Sequence, residues 1–343
     1  MKAALVVLLG LFPASLLAGD KEDSLRSRYV QRFPDKFFLW PVVKQRNLFF
    51  DISPKNDRAK VLNYRPNNSF GVGMGFYLFE VAVEVTTAIP LNEKSRITYG
   101  ESDVRDLQAN FLGKNWGGDV YNQNYKGFYV ADPNKLVTTD EEYARRPDIE
   151  MVNTGINGIY IINHEKFSLR SAYNYSERQL KSGGSFVVTG TLNNLRLRSD
   201  SSILGSRYRD FFPDGGSFDE MRYTTFSLAP GYTFSLVYRS FFLNTSLAMG
   251  PAHHWVYYKP AGAPERYDIT INTYADIRMA LGYNSQRFFA GMSYITQSRD
   301  IRFDDIRFTS NSSVFKILAG YRFREVGILK KRAIDLVPVD ITH

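Results

Sequence analysis

The side chains of this sequence best suited to act as a catalytic base or a metal ligand are four histidines, His164, His253, His254 and His343. His253 and His254 are adjacent, and neighbouring residues of a β-strand point to opposite faces, so the two would not share one metal ion. The GxSxG nucleophile motif does not occur, and the chain contains 0 cysteines. The sequence therefore predicts no cofactor, no metal and no defined catalytic residue.

A second group consists of six charged residues in stretches where apolar and polar residues alternate. Each of the six occupies one of the polar positions, so its side chain points to the face opposite the apolar one. They are Glu84, Arg170, Asp276, Arg278, Lys316 and Arg322. Inside a barrel, such charges either line a wet channel or pair into a network that closes it. The mixture of signs favours structural ion pairs. Arg278 can pair with Asp276, two residues away on one predicted strand, or with Glu84 across the interior.

The stretch Tyr223–Tyr238, YTTFSLAPGYTFSLVY, shows which structure would separate an interior from an exterior. Its apolar and aromatic residues occupy one parity, and its small or polar residues occupy the other, as in a strand with one apolar face. A strand that crosses a bilayer needs about 9–11 residues. The same alternation recurs along residues 45–324, which predicts an all-β fold, an antiparallel transmembrane β-barrel.

The lengths of the connections predict the number of strands, because outer-membrane barrels alternate short periplasmic turns with longer outer loops. The predicted short turns are 79–80, 113–118, 163–165, 238–240 and 284–287, and the predicted long connections are 54–68, 90–102, 131–148, 177–221, 259–267 and 299–308. This alternation gives about 12 strands, one of them Phe167–Tyr175, with both termini in the periplasm. Ser185–Leu197 is also strand-like. It is either structure within an outer loop or half of an added pair, which would give about 14 strands.

The two ends of the chain differ from the barrel region. Met1–Ala18 has a positive charge at Lys2, a short apolar core and small residues after it, which predicts a secretory signal peptide. Residues 19–44 are predicted to be a periplasmic N-terminal segment, whose aromatic stretch could cross the barrel mouth or form an irregular lead-in. Residues 45–324 are assigned to the barrel, and residues 325–343 to a periplasmic C-terminal tail.

Composition excludes two other classes of protein. After the first 20 residues no apolar run approaches 18 residues, so transmembrane helices are not expected. The net charge is +8, but the basic residues are scattered apart from the short cluster Lys330–Arg332. Nucleic-acid binding would require a basic stripe on a recognisable module, so nucleic acid is not an expected partner.

Four sequence motifs resemble a family of uncharacterised outer-membrane β-barrel proteins of Gram-negative bacteria, known only as a domain of unknown function. The motifs are FPDKFF (Phe33–Phe38), LNYRPNNSFGVG (Leu62–Gly73), YNYSERQLKSGGSF (Tyr173–Phe186) and LAPGYTFSL (Leu228–Leu236). The resemblance covers most of the mature chain. It implies a barrel in the outer membrane and no particular activity, so no functional residue is carried over.

Two functions remain open at this point. The first is a narrow channel, or a structural or binding barrel of the outer envelope, with outer-membrane lipid and lipopolysaccharide as its partners. The barrel-assembly machinery would be a partner during biogenesis, and a small solute is a further candidate. The second is an outer-membrane enzyme acting on lipid or lipopolysaccharide, for which His253 or His254 would have to lie at the bilayer rim.

Overall fold

The computed structural model describes residues 25–78, 81–137, 143–212, 217–260 and 262–325. The predicted signal peptide and residues 326–343 of the predicted tail lie outside these ranges. The described strands are β1 (Val30–Arg32), β2 (Lys36–Pro54), β3 (Leu62–Arg65), β4 (Gly71–Leu78), β5 (Val81–Ala88), β6 (Asp103–Leu112), β7 (Trp116–Ala131), β8 (Ala144–Ile161), β9 (Glu177–Gln179), β10 (Gly183–Arg198), β11 (Phe218–Tyr238), β12 (Phe241–Pro260), β13 (Arg266–Asn284), β14 (Phe288–Phe303) and β15 (Ile306–Arg324).

Four short helical segments accompany these strands. Two are α-helices, Glu93–Tyr99 and Arg170–Tyr173, and two are 3₁₀ turns, Arg26–Arg28 and Ser206–Phe211. No helix in the described ranges combines the length and the hydrophobicity that a membrane-crossing helix needs.

Ten antiparallel strands form a closed barrel, in the order β15-β14-β13-β12-β11-β10-β8-β7-β3-β2, and the ring closes where β15 pairs with β2. Its longest strands have 19 to 21 residues, well above the usual length of strands in soluble proteins. Towards the core end, where β3 joins β2 to β7, the ring leaves no free edge, which is the arrangement that antiparallel strands require in a membrane.

The two ends of the barrel are named here for what fills them. The plug end holds Lys36, Tyr238 and Phe288, and the core end holds Pro54 and Phe303, at the opposite ends of their strands. The first residue of β2 and the last residue of β15 both lie at the plug end, where they pair as Lys36 and Arg324.

Three further strands of the barrel sheet, β4, β5 and β6, lie outside the closed ring, all towards the plug end. β3 and β4 lie end to end along one edge of β2, separated by residues 66–70. β5 pairs with β4, and β6 pairs with β7, but within the described residues β5 and β6 do not pair with each other. The wall is therefore wider at the plug end and carries a seam between β5 and β6.

The structure corrects the predicted number of strands, because the closed ring has ten strands and neither about 12 nor 14. The predicted strand Phe167–Tyr175 is wrong: this segment contains the helix Arg170–Tyr173 and lies inside the barrel. Ser185–Leu197 is instead a full barrel strand, most of β10, paired on both edges. Because β10 takes the place of the predicted strand Phe167–Tyr175, β11 and every later strand run in the predicted direction.

Three predicted boundaries also change. The predicted long loop 299–308 is a two-residue turn between β14 and β15, in which Asp304 adopts the left-handed conformation with φ 48°. The predicted short turn 163–165 is the beginning of a folded connection between β8 and β10. The first barrel strand starts at Lys36, inside the predicted N-terminal segment, because Phe38, Trp40 and Val42 alternate and are buried.

Candidate functional site

The exterior of the barrel carries a continuous apolar belt. Leu228 on β11 is 55% exposed, whereas its neighbour Ser227 is 1% exposed, so the two parities predicted from the sequence face outward and inward. The same outward parity exposes large apolar residues on other strands: Val85, Leu107, Ile156, Leu192, Leu247, Met279, Met292 and Ile317. An exposed belt of this extent on a barrel is typical of a surface that meets lipid.

Aromatic residues concentrate at the edge of this belt towards the plug end. Phe37 stacks on Phe323 with ring centroids 5.1 Å apart, and Tyr321 lies 4.7 Å from Phe288. On the far side of the belt Trp255 is exposed and packs on His253 at 4.4 Å. Rings of this kind sit at the boundary between lipid tails and water.

The interior at the core end is filled by apolar side chains. The cluster is contributed by strands from all around the ring and by the connection between β10 and β11: Phe50, Tyr64, Phe128, Met151, Leu197, Met221, Val256, Phe303 and Phe308, with Ile203, Leu204, Tyr208 and Phe212 from the connection. Tyr64 donates a hydrogen bond to the Ile203 carbonyl at 2.8 Å, which holds the connection against the wall. The residues of this cluster close the barrel at this end.

Asp276 and Arg278 form a buried ion pair in the middle of the barrel. Arg278 donates to both carboxylate oxygens of Asp276, at 2.8 and 2.9 Å, and the two residues are 8% and 2% exposed. Gln297 donates a hydrogen bond to the same carboxylate at 3.3 Å. The Asn157 amide donates both to the Gln297 side-chain oxygen at 3.1 Å and to the Asp119 carboxylate at 2.6 Å. The pairing expected between neighbours on one strand is therefore present, within a larger network.

The network continues across the interior through Arg299, which is 1% exposed. Its guanidinium donates to Tyr121 at 3.1 Å and to Thr191 at 3.4 Å, and it lies 5.4 Å from the ring centroid of Tyr274. Asn193 donates to the same Tyr121 hydroxyl at 3.1 Å. Opposite walls of the barrel are thus joined by side chains that hydrogen-bond to one another.

Asp106 on β6 ends the network next to the seam. Its carboxylate accepts hydrogen bonds from Gln123 at 2.8 Å and Tyr125 at 3.0 Å, and Arg46 lies 3.5 Å away. Gln123 accepts in turn from Asn153 at 2.8 Å. Within the described residues the backbone of β6 pairs only with β7, so the contact between Asp106 and Arg46 on β2 ties the inward face of β6 to the other side of the seam.

Glu84 occupies the equivalent position on β5, on the other side of the seam. Its carboxylate lies 3.3 Å from the Lys44 ammonium and 3.2 Å from the Lys316 ammonium, and it accepts a hydrogen bond from Trp40 at 3.1 Å. The structure therefore brings together Glu84 and Lys316, two of the six predicted interior charges. Glu84 pairs with the two lysines and not with Arg278, which the sequence left open as its partner.

A folded segment of residues 162–182, here called the plug, fills the barrel between β8 and β10 at the plug end. Asn284 on β13 donates to the Ser171 carbonyl at 2.9 Å and to the Glu177 carbonyl at 3.0 Å. Tyr173 donates to Asn244 on β12 at 2.9 Å. Within the plug β9 pairs with β1, which ties the N-terminal residues to it. Contacts with several strands place the plug across the interior.

Glu177 is the charged centre of the plug and is 1% exposed. Arg26 lies 2.6 Å and Arg170 3.5 Å from its carboxylate oxygens, and Ser168 also donates a hydrogen bond to it. Burial alone would raise the pKa of this carboxyl, but the two guanidinium groups and the hydrogen bonds hold the pKa below its usual value. Arg170 therefore belongs to the plug and not to a barrel strand, which corrects its predicted position.

Arg322 on β15 anchors the plug from the wall. It is 2% exposed, and it donates hydrogen bonds to the Tyr175 carbonyl at 2.6 Å and to Asn284 at 2.8 Å. Its guanidinium also lies 4.0 Å from the ring centroid of Phe33 and 4.8 Å from that of Phe289. A cation held by carbonyl dipoles and aromatic rings needs no carboxylate beside it.

The histidine pair points in two directions, as expected for neighbours on a strand. His254 is buried inside the barrel and shares a hydrogen bond of 2.8 Å with Thr225. His253 lies on the outward parity against Trp255. His164 lies in the plug, where its carbonyl accepts a hydrogen bond from Arg26, and His343 lies outside the described residues. No group of three or more metal-ligating side chains occurs in the part of the chain that the structure describes.

A cavity of about 350 Å³ opens on the outer face of the wall where β3 gives way to β4. It is lined by amide side chains, aromatic rings and one arginine: Gln45, Asn47, Phe49, Arg65, Pro66, Asn67, Asn68, Tyr99 and Tyr129. Four of these residues come from the motif YRPNNS, which the sequence marks only as a turn. This cavity is called the wall pocket below.

Sequence reasoning missed Arg299, Asp106, Asp119 and Glu177 as parts of these clusters. Arg299 was placed in a predicted loop, although it follows Gln297 at the inward parity of β14. Asp119 begins a stretch in which the outward residues Asn122, Asn124 and Lys126 are polar, so apolar and polar residues do not alternate there. Beyond Lys126, β7 also shifts register before Phe128. The residue between Lys126 and Phe128 is Gly127, with φ 87°, and a glycine inside a strand often marks such a bulge.

The family model named Domain of unknown function (DUF4421) matches residues 21–323 of this chain. The chain belongs to this family. The match confirms the resemblance inferred from the four motifs. The matched region contains the plug of this DUF4421 protein and all of its barrel except Arg324. No curated protein matches the chain.

Solved outer-membrane proteins align with most of this DUF4421 protein at low similarity. Ail, the attachment invasion locus protein of Yersinia pestis, in complex with the heparin analogue sucrose octasulfate, is 9% identical with a TM-score of 0.20, covering 84% of this chain and 99% of Ail. OmpT of Vibrio cholerae is 8% identical with a TM-score of 0.26, covering 84% and 98%. A Pseudomonas aeruginosa FadL homologue is 9% identical with a TM-score of 0.23, covering 84% and 90%. We infer no function from alignments with such low scores.

Proposed function

We propose that this DUF4421 protein is an integral barrel of the bacterial outer membrane that is closed to diffusion along its axis and acts as a structural or binding barrel. The observation that carries the proposal is the filled interior. An apolar cluster occupies the core end, a polar network crosses the middle, and the plug occupies the other end. An open channel would need a continuous wet path through all three layers.

The membrane location is supported by the exterior. The exposed apolar belt and its aromatic edge match the surface of a transmembrane barrel, and β-barrels of this type occur in outer membranes. The first barrel strand, β2, begins at the plug end and the last, β15, ends there. The proposed orientation therefore places the plug end in the periplasm and the core end outside. The proposed partners are the lipid and lipopolysaccharide of that membrane.

Leu228→Arg is expected to block insertion, because an arginine on the lipid face near the bilayer midplane costs about 2–4 kcal/mol. Heat-modifiable gel migration after refolding into vesicles measures the folded fraction. The matched control is Thr224→Arg, at the outward parity four residues nearer the core end and next to Arg222 on the same strand. Ser227→Arg is not a neutral control, since Ser227 is buried and donates to the Pro251 carbonyl at 2.9 Å. Equal insertion of the Leu228 and Thr224 variants would contradict the proposed lipid face.

The closed interior is tested by permeability. Vesicles that contain the refolded protein are expected to swell in an isosmotic sugar solution no faster than empty vesicles, and planar bilayers are expected to show no steady conductance. Heat-modifiable migration of the same preparation shows that the protein has inserted. Steady conductance of a wide pore in the inserted wild type would overturn the closed-barrel function while leaving the membrane location intact.

A further inference from the structure

The wall pocket lies where β3 ends and β4 begins along the edge of β2. Some of its lining residues hydrogen-bond the neighbouring segments to one another. The Asn67 amide donates to the Ser95 carbonyl at 3.1 Å and to the Gly100 carbonyl at 2.6 Å, and its oxygen accepts from the Ser95 hydroxyl at 3.0 Å. These bonds fix the helix Glu93–Tyr99 against the wall. Gln45 donates to the Asn68 carbonyl at 2.8 Å, and the Asn68 amide donates to the Arg46 carbonyl.

Other polar atoms of the lining have no protein partner. Within the described residues, the amide of Asn47, the side-chain oxygens of Gln45 and Asn68 and the hydroxyls of Tyr99 and Tyr129 make no hydrogen bond. An amide both donates and accepts, and so does a tyrosine hydroxyl. Such a set is suited to a ligand whose own groups both donate and accept.

The charge of the pocket is balanced internally. Arg65 lies 2.8 Å from the Asp51 carboxylate, and its guanidinium covers the ring of Phe49 at 4.1 Å from the centroid. The arginine therefore already has an anionic partner, and the free atoms are all neutral. An anion would gain little here, because the only cation of the lining is compensated.

The apolar side of the pocket is a cluster of tyrosine rings. The centroid of Tyr99 lies 4.7 Å from that of Tyr129 and 4.9 Å from that of Tyr143. The rings contact one another, which holds their faces in place without a ligand. The rings of Tyr99 and Tyr129, which line the pocket, are tilted by 45° to each other. An aromatic ring opposite hydrogen-bonding amides matches the two faces of a pyranose, which has C–H groups on one side and hydroxyls around its edge.

We propose that the wall pocket binds a neutral hexose unit of a saccharide. The free amides and hydroxyls bond the sugar hydroxyls, and the tyrosine rings cover its C–H face. The height of the pocket on the wall is consistent with this ligand. Val43 pairs with the exposed Ile317 of the apolar belt, whereas Gln45 and Asn47, the next outward residues of β2 towards the core end, are polar. If the proposed orientation holds, that height is where the sugars of the outer-leaflet glycolipid lie, and a free saccharide is the other source.

Calorimetric titration of the purified protein, in a detergent without a sugar headgroup, tests the site with three probes. They are lipopolysaccharide with a neutral hexose core, the free core oligosaccharide and lipid A alone. Asn47→Leu keeps a side chain of similar size and removes the unpartnered amide, so it is expected to weaken hexose binding about tenfold without affecting folding. The control is Asn122→Leu, which removes an outward amide on β7 that bonds Thr154 at 2.8 Å.

Binding of the free oligosaccharide that depends on Asn47 supports the site with a free saccharide as a ligand. If only the hexose-bearing lipopolysaccharide binds, and its binding depends on Asn47, the result supports the site with the membrane glycolipid as the source of the hexose. Equal binding of lipid A and the hexose-bearing form, or equal binding by the wild type and Asn47→Leu, would overturn the proposal. Because the titration is done in detergent, its failure is distinct from a failure to insert or from an open pore in the vesicle experiments.

Discussion

Asp276→Ala is expected to destabilise the barrel by about 3–5 kcal/mol, because it leaves the Arg278 guanidinium buried without its bidentate partner. The double variant Asp276→Ala/Arg278→Ala should recover part of that loss, since the uncompensated charge is gone. Urea unfolding of the protein in lipid vesicles, followed by tyrosine and tryptophan fluorescence, measures the free energy of unfolding for each variant. The coupling energy of the cycle then reports how far the middle of the barrel excludes water.

The chain offers a matched control for this cycle on another strand. Asp103 and Arg105 have the same spacing and order, with the nitrogen and oxygen 3.5 Å apart, but their side chains are 65% and 79% exposed. An exposed pair contributes little to stability, so the corresponding cycle should show almost no coupling. If the Asp276 and Arg278 effects are simply additive, the interior is wet at this level and these charges line a channel.

Much of the barrel could be predicted from the sequence because a strand with lipid on one side and packed polar groups on the other must alternate. Tyr223–Tyr238 shows this directly: Leu228 is exposed and Ser227 is buried, as their parity predicts. The same rule placed Asp276, Arg278 and Lys316 on the inward parity of their strands. Parity is a local property, so it was available without any knowledge of how the strands pair.

The plug could not be predicted by that rule. Phe167–Tyr175 alternates over nine residues, but its apolar side chains face packed interior on several sides and not lipid on one side. Ser185–Leu197 also alternates, and what distinguishes it is pairing with β8 and β11, which is not local information. Tertiary contacts therefore decide between two segments with the same pattern.

The wall pocket and the seam depend on where strands stop bonding. Pro66 has no backbone N–H, so it cannot continue the ladder of β3, and the two asparagines after it bond the helix Glu93–Tyr99 and β2. The sequence indicates a turn at this position. It does not indicate that β4 resumes along the same edge of β2 with β5 and β6 beside it, because that arrangement is set by long-range pairing.

Glu177→Ala is expected to release the plug, because it removes the carboxylate that lies between Arg26 and Arg170. The buried guanidinium of Arg26 and the partly buried guanidinium of Arg170 then lose that partner. Loss of one member of a buried ion cluster costs about 3–5 kcal/mol. The barrel strands keep their own pairing, so the loss should be local. Hydrogen exchange followed by mass spectrometry should show faster exchange in residues 162–182 and unchanged exchange in β11 and β12.

The pH dependence of the same exchange identifies the charge as the cause. The pKa of Glu177 is lowered in the folded plug below its ordinary value of 4.5, so its stabilising contribution is complete above that value and is lost as the pH falls through the lower, folded pKa. Protection of the plug should therefore decrease in acid in the wild type and lose this dependence in Glu177→Gln. Glu165→Gln, an exposed carboxylate of the same segment, should behave like the wild type. If Glu177→Gln retains the acid-dependent loss of protection, another group controls the plug and the central role given to Glu177 is wrong.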